Sequence, residues 1–85
     1  MTKENKPTVD QFIIYSQSGC SFCTKAFELL ELSGAEVESI DIRLVDGALA
    51  MMRNNGFKTV PQIYHDSYHV GGYEDLVRYI EEPIE

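Results

Sequence analysis

Residues 12–30 have the sequence FIIYSQSGCSFCTKAFELL, and the successive patterns in this stretch decide the fold. Residues 12–15 are consecutive apolar and aromatic side chains, which is typical of a short buried strand. A polar loop that contains Gly19 follows, and then apolar side chains recur at the i, i+3, i+4 and i+7 positions of a helix. Those side chains are Cys23, Ala26, Phe27 and Leu30. Cys20 and Cys23 therefore lie where a strand–loop–helix unit begins its helix.

The rest of the chain predicts three more strands and two more helices. Imperfect alternation predicts a strand at residues 37–42, and short apolar segments on either side of a polar turn at residues 65–67 predict an antiparallel hairpin. The hairpin strands are residues 62–64 and 68–70. Two further helical stripes comprise Val45, Ala48, Leu49 and Met52, and Tyr73, Leu76, Val77 and Ile80. The predicted order is β-α-β-α-β-β-α, with a parallel, right-handed first β-α-β unit.

The composition indicates one small globular domain. The chain has 85 residues, of which 44% are apolar, and its net charge is −7. We expect residues 1–10 to form a flexible leader and residues 11–85 to form the single domain. No segment is long and apolar enough to cross a bilayer and no secretory signal is evident, which favours a cytoplasmic protein. The excess of acidic groups argues against nucleic acids and anionic membranes as partners and favours a monomer.

The cysteine pair is the strongest indication of chemistry. In a reducing compartment a C-x-x-C pair is more often redox-active or metal-binding than structural. At a helix N-terminus several backbone N–H groups lack intrahelical partners, so a thiolate at Cys20 is stabilised there and its pKa falls. Cys23 lies one turn further, on the apolar stripe of the helix. We therefore predict that Cys20 is the nucleophile and that Cys23 is the resolving thiol.

Zinc binding is the competing interpretation of the cysteines. A structural zinc site needs four ligands, and the other candidates are His65 and His69. However, 41 residues separate Cys23 from His65, far more than the roughly 12–15 residues of a zinc finger. The two histidines also belong to the predicted hairpin rather than to one helix face. We therefore expect no zinc site and interpret both histidines as exposed hairpin residues.

The chain resembles the small dithiol glutaredoxins of the thioredoxin-fold superfamily over residues 12–80. The resemblance rests on three motifs in the family's order: GCSFC at residues 19–23, TVPQI at residues 59–63 and GGYED at residues 71–75. It implies an α/β thioredoxin fold with a four-stranded mixed sheet and three helices, the first and third on one face. It also implies a glutathione-dependent thiol–disulfide oxidoreductase that has no tightly bound cofactor.

The same resemblance implies glutathione as co-substrate and glutathionylated or disulfide-containing proteins as targets. It implies a cis bond before Pro61 and pairing of the glutathione backbone with Val60. The γ-glutamyl carboxylate would meet the N–H groups at the start of the third helix, and Asp75 would bind the γ-glutamyl ammonium group. The implied glutathione-binding residues are Gln17, Phe22, Thr59, Val60, Pro61, Gly72, Tyr73, Glu74 and Asp75.

Two departures from the family pattern leave questions open. Many members have a Lys or Arg three residues before the first cysteine, where this chain has Gln17. The candidates for the missing positive charge are Lys58, Arg53 and Lys25. Ser21 also replaces the usual proline after the first cysteine, and some family members with serine there hold a [2Fe–2S] cluster. The alternative function is therefore a cluster carrier that uses Cys20 and glutathione as ligands in a homodimer.

Overall fold

The computed structural model describes residues 11–81 and has seven elements. They follow the predicted order β-α-β-α-β-β-α. Their bounds are β1 Gln11–Ser16, α1 Ser21–Leu32, β2 Glu36–Asp41, α2 Ala48–Asn54, β3 Gln62–His65, β4 Tyr68–Gly71 and α3 Tyr73–Glu81. The expectation of a leader at residues 1–10 lies outside the described residues.

The four strands form one mixed sheet in the order β2-β1-β3-β4. Strand β1 is parallel to β2, with Phe12 opposite Val37, and antiparallel to β3, with Phe12 opposite His65. Strands β3 and β4 form the predicted antiparallel hairpin, which has an irregularity between Ile63 and Tyr64. Because β1 and β2 are parallel, the segments that follow both strands leave the sheet at the same edge.

The helices cover both faces of the sheet, as the fold prediction requires. The core beneath α1 and α3 consists of Phe12, Ile14, Ala26, Leu30, Ile63 and Leu76. The smaller core beneath α2 consists of Ile42, Ala48 and Met52. The alternation of side chains along β1 explains this division: Phe12 and Ile14 face the first core, whereas Tyr15 packs against the second. The predicted arrangement, with the first and third helices on one face, is therefore confirmed.

Helix α1 begins where the sequence predicts, whereas α2 begins later than its apolar stripe. Helix α1 begins at Ser21, so Cys20 is its N-cap residue. Helix α2 begins at Ala48 rather than at Val45, because a turn occupies the segment after β2. In that turn the Val45 N–H donates to the Asp41 carbonyl, and Gly47 has a φ of 85°, which is the left-handed region outside a helix.

The interpretation of both histidines as exposed hairpin residues is wrong for His65. Its ring stacks on Phe12 with centroids 4.3 Å apart, and its Nδ1 lies 2.6 Å from the Tyr79 hydroxyl. His69 is exposed, but it has a hydrogen-bond partner in the sheet. Between residues 11 and 81, no helix is long and apolar enough to cross a membrane.

Candidate active site

The cysteine pair occupies the N-terminus of α1. Cys20 and Cys23 form a disulfide, with their Cα atoms 5.3 Å apart. The backbone N–H of Cys23 also donates to Cys20 Sγ at 3.1 Å. This is an N-cap contact made by a sulfur atom, and it satisfies one of the N–H groups that a helix start leaves without partners. A reduced Cys20 thiolate in this position would accept the same N–H.

The two cysteines differ in exposure. Cys20 is partly exposed beside the loop that precedes α1, whereas Cys23 is 6% exposed and belongs to the buried side of the helix with Ala26. An incoming disulfide can therefore approach Cys20 Sγ more readily than Cys23 Sγ. Cys23 Sγ lies on the buried side of Cys20 Sγ, to which it is bonded.

The segment before β3 forms a wall next to Cys20. The Val60–Pro61 peptide bond is cis, as the family resemblance implied. Cys20 Sγ lies 3.9 Å from the Val60 carbonyl oxygen. The backbone at Thr59 and Val60 is therefore beside the reactive sulfur, and a groove lies on each side of it.

The first groove, which we call the acidic groove, has a volume of about 280 Å³. It is lined by eight of the nine predicted glutathione-binding residues: Phe22, Thr59, Val60, Pro61, Gly72, Tyr73, Glu74 and Asp75. The ring centroids of Phe22 and Tyr73 lie 5.7 Å apart, and Phe22 is half exposed. Lys25 Nζ lies 5.3 Å from the centroid of the Phe22 ring, so this candidate cation lies on the side of the acidic groove.

Asp75 organises the start of α3. Its Oδ2 accepts the Gly72 N–H at 3.0 Å, and its Oδ1 accepts Arg78 Nη2 at 2.6 Å. Gly71 has a φ of 121°, and a Cβ atom at this position would collide with the Asp75 carboxylate. Gly71 therefore lets the carboxylate lie against the backbone, where it lines the groove with half of its side chain exposed.

The second groove, which we call the basic groove, has a volume of about 600 Å³. It lies on the α2 side of Thr59 and Val60 and contains the ninth predicted residue, Gln17. Its three cations are Arg43, Arg53 and Lys58. The structure thus places two of the sequence candidates here and brings in Arg43, which the sequence prediction missed.

Arg43 stands next to Gln17, where the family resemblance implies a cation. Its Nε donates to Gln17 Oε1 at 3.1 Å, and its backbone N–H donates to Asp41 Oδ1 at 2.9 Å. A signal for this contact was present in the sequence. Gln17 directly follows β1 and Arg43 closely follows β2, and the carboxyl ends of neighbouring parallel strands share one edge of a sheet.

A disulfide at a helix N-terminus beside a cis-proline segment, on a thioredoxin fold, defines a thiol–disulfide oxidoreductase. The family model for glutaredoxin matches residues 12–70. Glutaredoxin 1 of Escherichia coli strain K12 is 30% identical over 83 residues, covering 88% of this chain and 98% of the relative. The chain belongs to the glutaredoxin family, and it is a glutathione-dependent disulfide oxidoreductase.

Solved structures agree with this assignment. The solution structure of glutaredoxin from Brucella melitensis is 36% identical, with a TM-score of 0.71, and the match covers 88% of this chain and 83% of that one. The crystal structure of a buckwheat glutaredoxin–glutathione complex has a TM-score of 0.70 at 19% identity, covering 85% of this chain and 70% of that one. The buckwheat likeness concerns the fold alone.

Proposed function

We propose that this glutaredoxin reduces glutathione mixed disulfides and protein disulfides, with Cys20 as nucleophile and Cys23 as resolving thiol. The observation that carries the proposal is the asymmetry of the cysteine pair. Cys20 is the accessible N-cap sulfur of α1, and Cys23 is buried directly behind it. The thiolate is the attacking species in such reactions, and Cys20 is the cysteine whose thiolate the helix start stabilises.

In the monothiol route the Cys20 thiolate attacks the glutathione sulfur of a mixed disulfide. The new bond joins Cys20 Sγ to glutathione, the old disulfide breaks, and the target leaves as a thiolate that takes a proton from water. The thiolate of a second glutathione then attacks the bound glutathione sulfur. This step releases oxidised glutathione and regenerates the Cys20 thiolate. Over the cycle the thiol of the second glutathione is oxidised and the target sulfur of the mixed disulfide is reduced to a thiol.

In the dithiol route the Cys20 thiolate attacks a protein disulfide and breaks its S–S bond. One target sulfur joins Cys20 Sγ in a mixed disulfide, and the other leaves as a thiolate that takes a proton from water. Cys23 loses its proton and attacks Cys20 Sγ, which releases the second target thiol and forms the Cys20–Cys23 disulfide seen here. Two glutathione molecules then reduce that disulfide through a Cys20–glutathione intermediate. Cys23 reacts quickly because it is held one helical turn from the mixed disulfide.

The two grooves suggest how glutathione lies on the protein. Its cysteine backbone would pair with Val60, whose carbonyl already faces Cys20 Sγ. Its γ-glutamyl end would occupy the acidic groove, with the carboxylate at the N-terminus of α3 and the ammonium group on Asp75. The Asp75 carboxylate would then be shared between that ammonium group and Arg78, its present partner. The glycyl carboxylate would extend into the basic groove toward Arg43.

The [2Fe–2S] alternative gains no support from the site. Within residues 11–81 no three His, Cys, Asp or Glu side chains converge as a metal site. A cluster on Cys20 would therefore take its other ligands from glutathione and a second chain. We propose instead a monomer of one domain over residues 11–85, acting in a reducing compartment such as the cytoplasm.

The test compares two cysteine variants on two substrates. Cys20→Ser should lose activity on both a glutathionylated peptide and a protein disulfide, by about a thousandfold or more, because the nucleophile is gone. Cys23→Ser should keep its activity on the glutathionylated peptide, since that route needs Cys20 and glutathione alone. Its rate on the protein disulfide should fall by about a hundredfold, because free glutathione must replace a positioned thiol.

The measurement is the initial rate of each variant in an assay coupled to reduction of oxidised glutathione. Circular dichroism of every variant provides the folding control. Equal loss of both activities in folded Cys23→Ser would contradict the assignment of Cys23 as a resolving thiol. Alkylation of Cys23 before Cys20 in the reduced protein at pH 6 would contradict the assignment of the nucleophile.

A further inference from the structure

A buried carboxamide lies immediately behind the segment that separates the two grooves. Gln62 is the first residue of β3, directly after the cis-proline, and is only 9% exposed. Its Nε2 donates to the Thr59 carbonyl oxygen at 3.1 Å and lies 3.3 Å from the Thr59 hydroxyl. The side chain of Gln62 therefore closes a short loop of backbone that contains Val60 and Pro61.

The other end of the carboxamide is held by β4. His69 Nε2 lies 2.7 Å from Gln62 Oε1. The imidazole also contacts two rings, with its centroid 4.6 Å from that of Phe57 and 5.0 Å from that of Tyr64. These contacts form a relay from His69 through Gln62 to Thr59.

The Thr59 carbonyl determines which groups donate and which accept in these hydrogen bonds. A carbonyl oxygen only accepts hydrogen bonds, so the amide nitrogen of Gln62 must face it and the amide oxygen must face His69. His69 Nε2 must then carry a proton and donate it. The neutral tautomer protonated at Nε2 and the imidazolium both satisfy this condition.

We propose that His69 is a positioning residue for thiol–disulfide exchange, which acts through Gln62 to fix the Thr59–Val60 backbone between the grooves. The proposal rests on the proposed function, in which that backbone pairs with the glutathione moiety. Thr59 and Val60 line both grooves, so a shift of this segment would alter both at once. Without the His69 donor, the buried Gln62 oxygen loses its partner and the carboxamide is no longer held in one orientation.

The decisive variant is His69→Phe, which keeps a ring to stack on Phe57 and removes the donor. With a glutathionylated peptide, KM should rise about fivefold, the loss expected for one neutral hydrogen bond, while kcat stays within about twofold. His69→Gln supplies an N–H donor of similar reach and should restore KM to within about twofold of the wild type. A role limited to packing predicts the reverse order, with phenylalanine the better replacement.

Gln62→Met is a second variant, which tests the relay even if His69→Phe does not fold. It removes the hydrogen bonds of the Gln62 side chain to His69 and to Thr59. It should therefore raise KM at least as much as His69→Phe. The double variant should show no further increase, because the two residues act through one contact chain. Urea unfolding of each variant, and the alkylation rate of reduced Cys20, serve as controls for the fold and for the nucleophile.

The outcomes separate this proposal from the function on which it rests. A wild-type protein that fails to reduce the glutathionylated peptide would overturn the proposed function itself. An active wild type whose KM is unchanged in folded His69→Phe or in folded Gln62→Met would overturn the relay. Additive effects in the double variant would also overturn it.

Discussion

The acidic groove and the basic groove lie on opposite sides of the same two residues, Thr59 and Val60, yet they are built from different chemistry. The acidic groove is bounded by aromatic rings and by the first turn of α3, with two carboxylates. The basic groove is bounded by the turn after β2 and by α2 and the segment that follows it, with three cations. One stretch of backbone thus separates two sites of opposite charge.

This difference teaches that local charge, rather than net charge, determines what the site attracts. The chain has a net charge of −7, but three of the five Lys and Arg side chains within residues 11–81 line the basic groove. A ligand end that carries a carboxylate alone is therefore attracted to the basic groove, whereas the acidic groove suits an end that also carries an ammonium group. A peptide with chemically different ends would bind in a single orientation.

Among the groove variants, charge reversal in the basic groove should lower the rate of reduction the most. Arg43→Glu replaces attraction of the glycyl carboxylate by repulsion and also removes the partner of Gln17. We expect kcat/KM for a glutathionylated peptide to fall about tenfold at low ionic strength and less at high salt, because Arg43 is exposed and its charge is screened. The measurement is the steady-state rate at two salt concentrations.

Lys25→Glu is the matched control for this prediction. It changes the net charge by the same amount but lies against Phe22, outside the basic groove. It should lower kcat/KM by less than about threefold. Equal losses in Arg43→Glu and Lys25→Glu would mean that overall charge, and not the basic groove, determines the rate.

The acidic groove depends instead on a close approach of backbone and carboxylate. Gly71→Ala places a Cβ atom against the Asp75 carboxylate at a φ of 121°. We expect it to lower the free energy of unfolding by about 2–3 kcal/mol, through backbone strain and displacement of the cap. Gly34→Ala is the control, because Gly34 also has a positive φ but has nothing within 4 Å of the added atom.

The control variant should lose only about 1 kcal/mol, the cost of a left-handed residue other than glycine. Urea unfolding of both variants, followed by circular dichroism, gives the comparison. Similar losses at Gly34 and Gly71 would show that the contact with Asp75 contributes nothing.

Loss of the Gln17 side-chain acceptor should have the smallest effect. Gln17→Leu keeps the size of the residue but removes the oxygen that receives Arg43 Nε. We expect KM for glutathione to rise about threefold with kcat unchanged, since an exposed hydrogen bond to a cation contributes little beyond orientation. A fall in kcat with constant KM would instead assign Gln17 to the chemical step.

The sequence predicted the order of the elements and most of the site, because its strongest signals are local. The helical stripe from Cys23 and the position of Cys20 before it depend on neighbours within one or two turns. The residues of the acidic groove came from family motifs, and the structure brings all eight together around Pro61. Their binding roles remain predictions.

What the sequence prediction missed depends on distant contacts. Arg43 meets Gln17 across 26 positions, through the parallel pairing of β1 with β2. The stacking of His65 on Phe12 depends on the antiparallel register of β1 with β3, which no local pattern contains. The late start of α2 reflects a turn that uses Asp41, although the apolar spacing alone favoured a helix from Val45.

We propose that the glycyl carboxylate of glutathione lies in the basic groove. A chemical change at that carboxylate tests this placement most directly. The measurement is KM for wild type and for Arg43→Gln, with peptides that carry either glutathione or glutathione amidated at its glycine. We predict that Arg43→Gln raises KM about fivefold for the glutathione peptide and less than about 1.5-fold for the amide, because only the free carboxylate meets Arg43. The same rise with both peptides would contradict the claim.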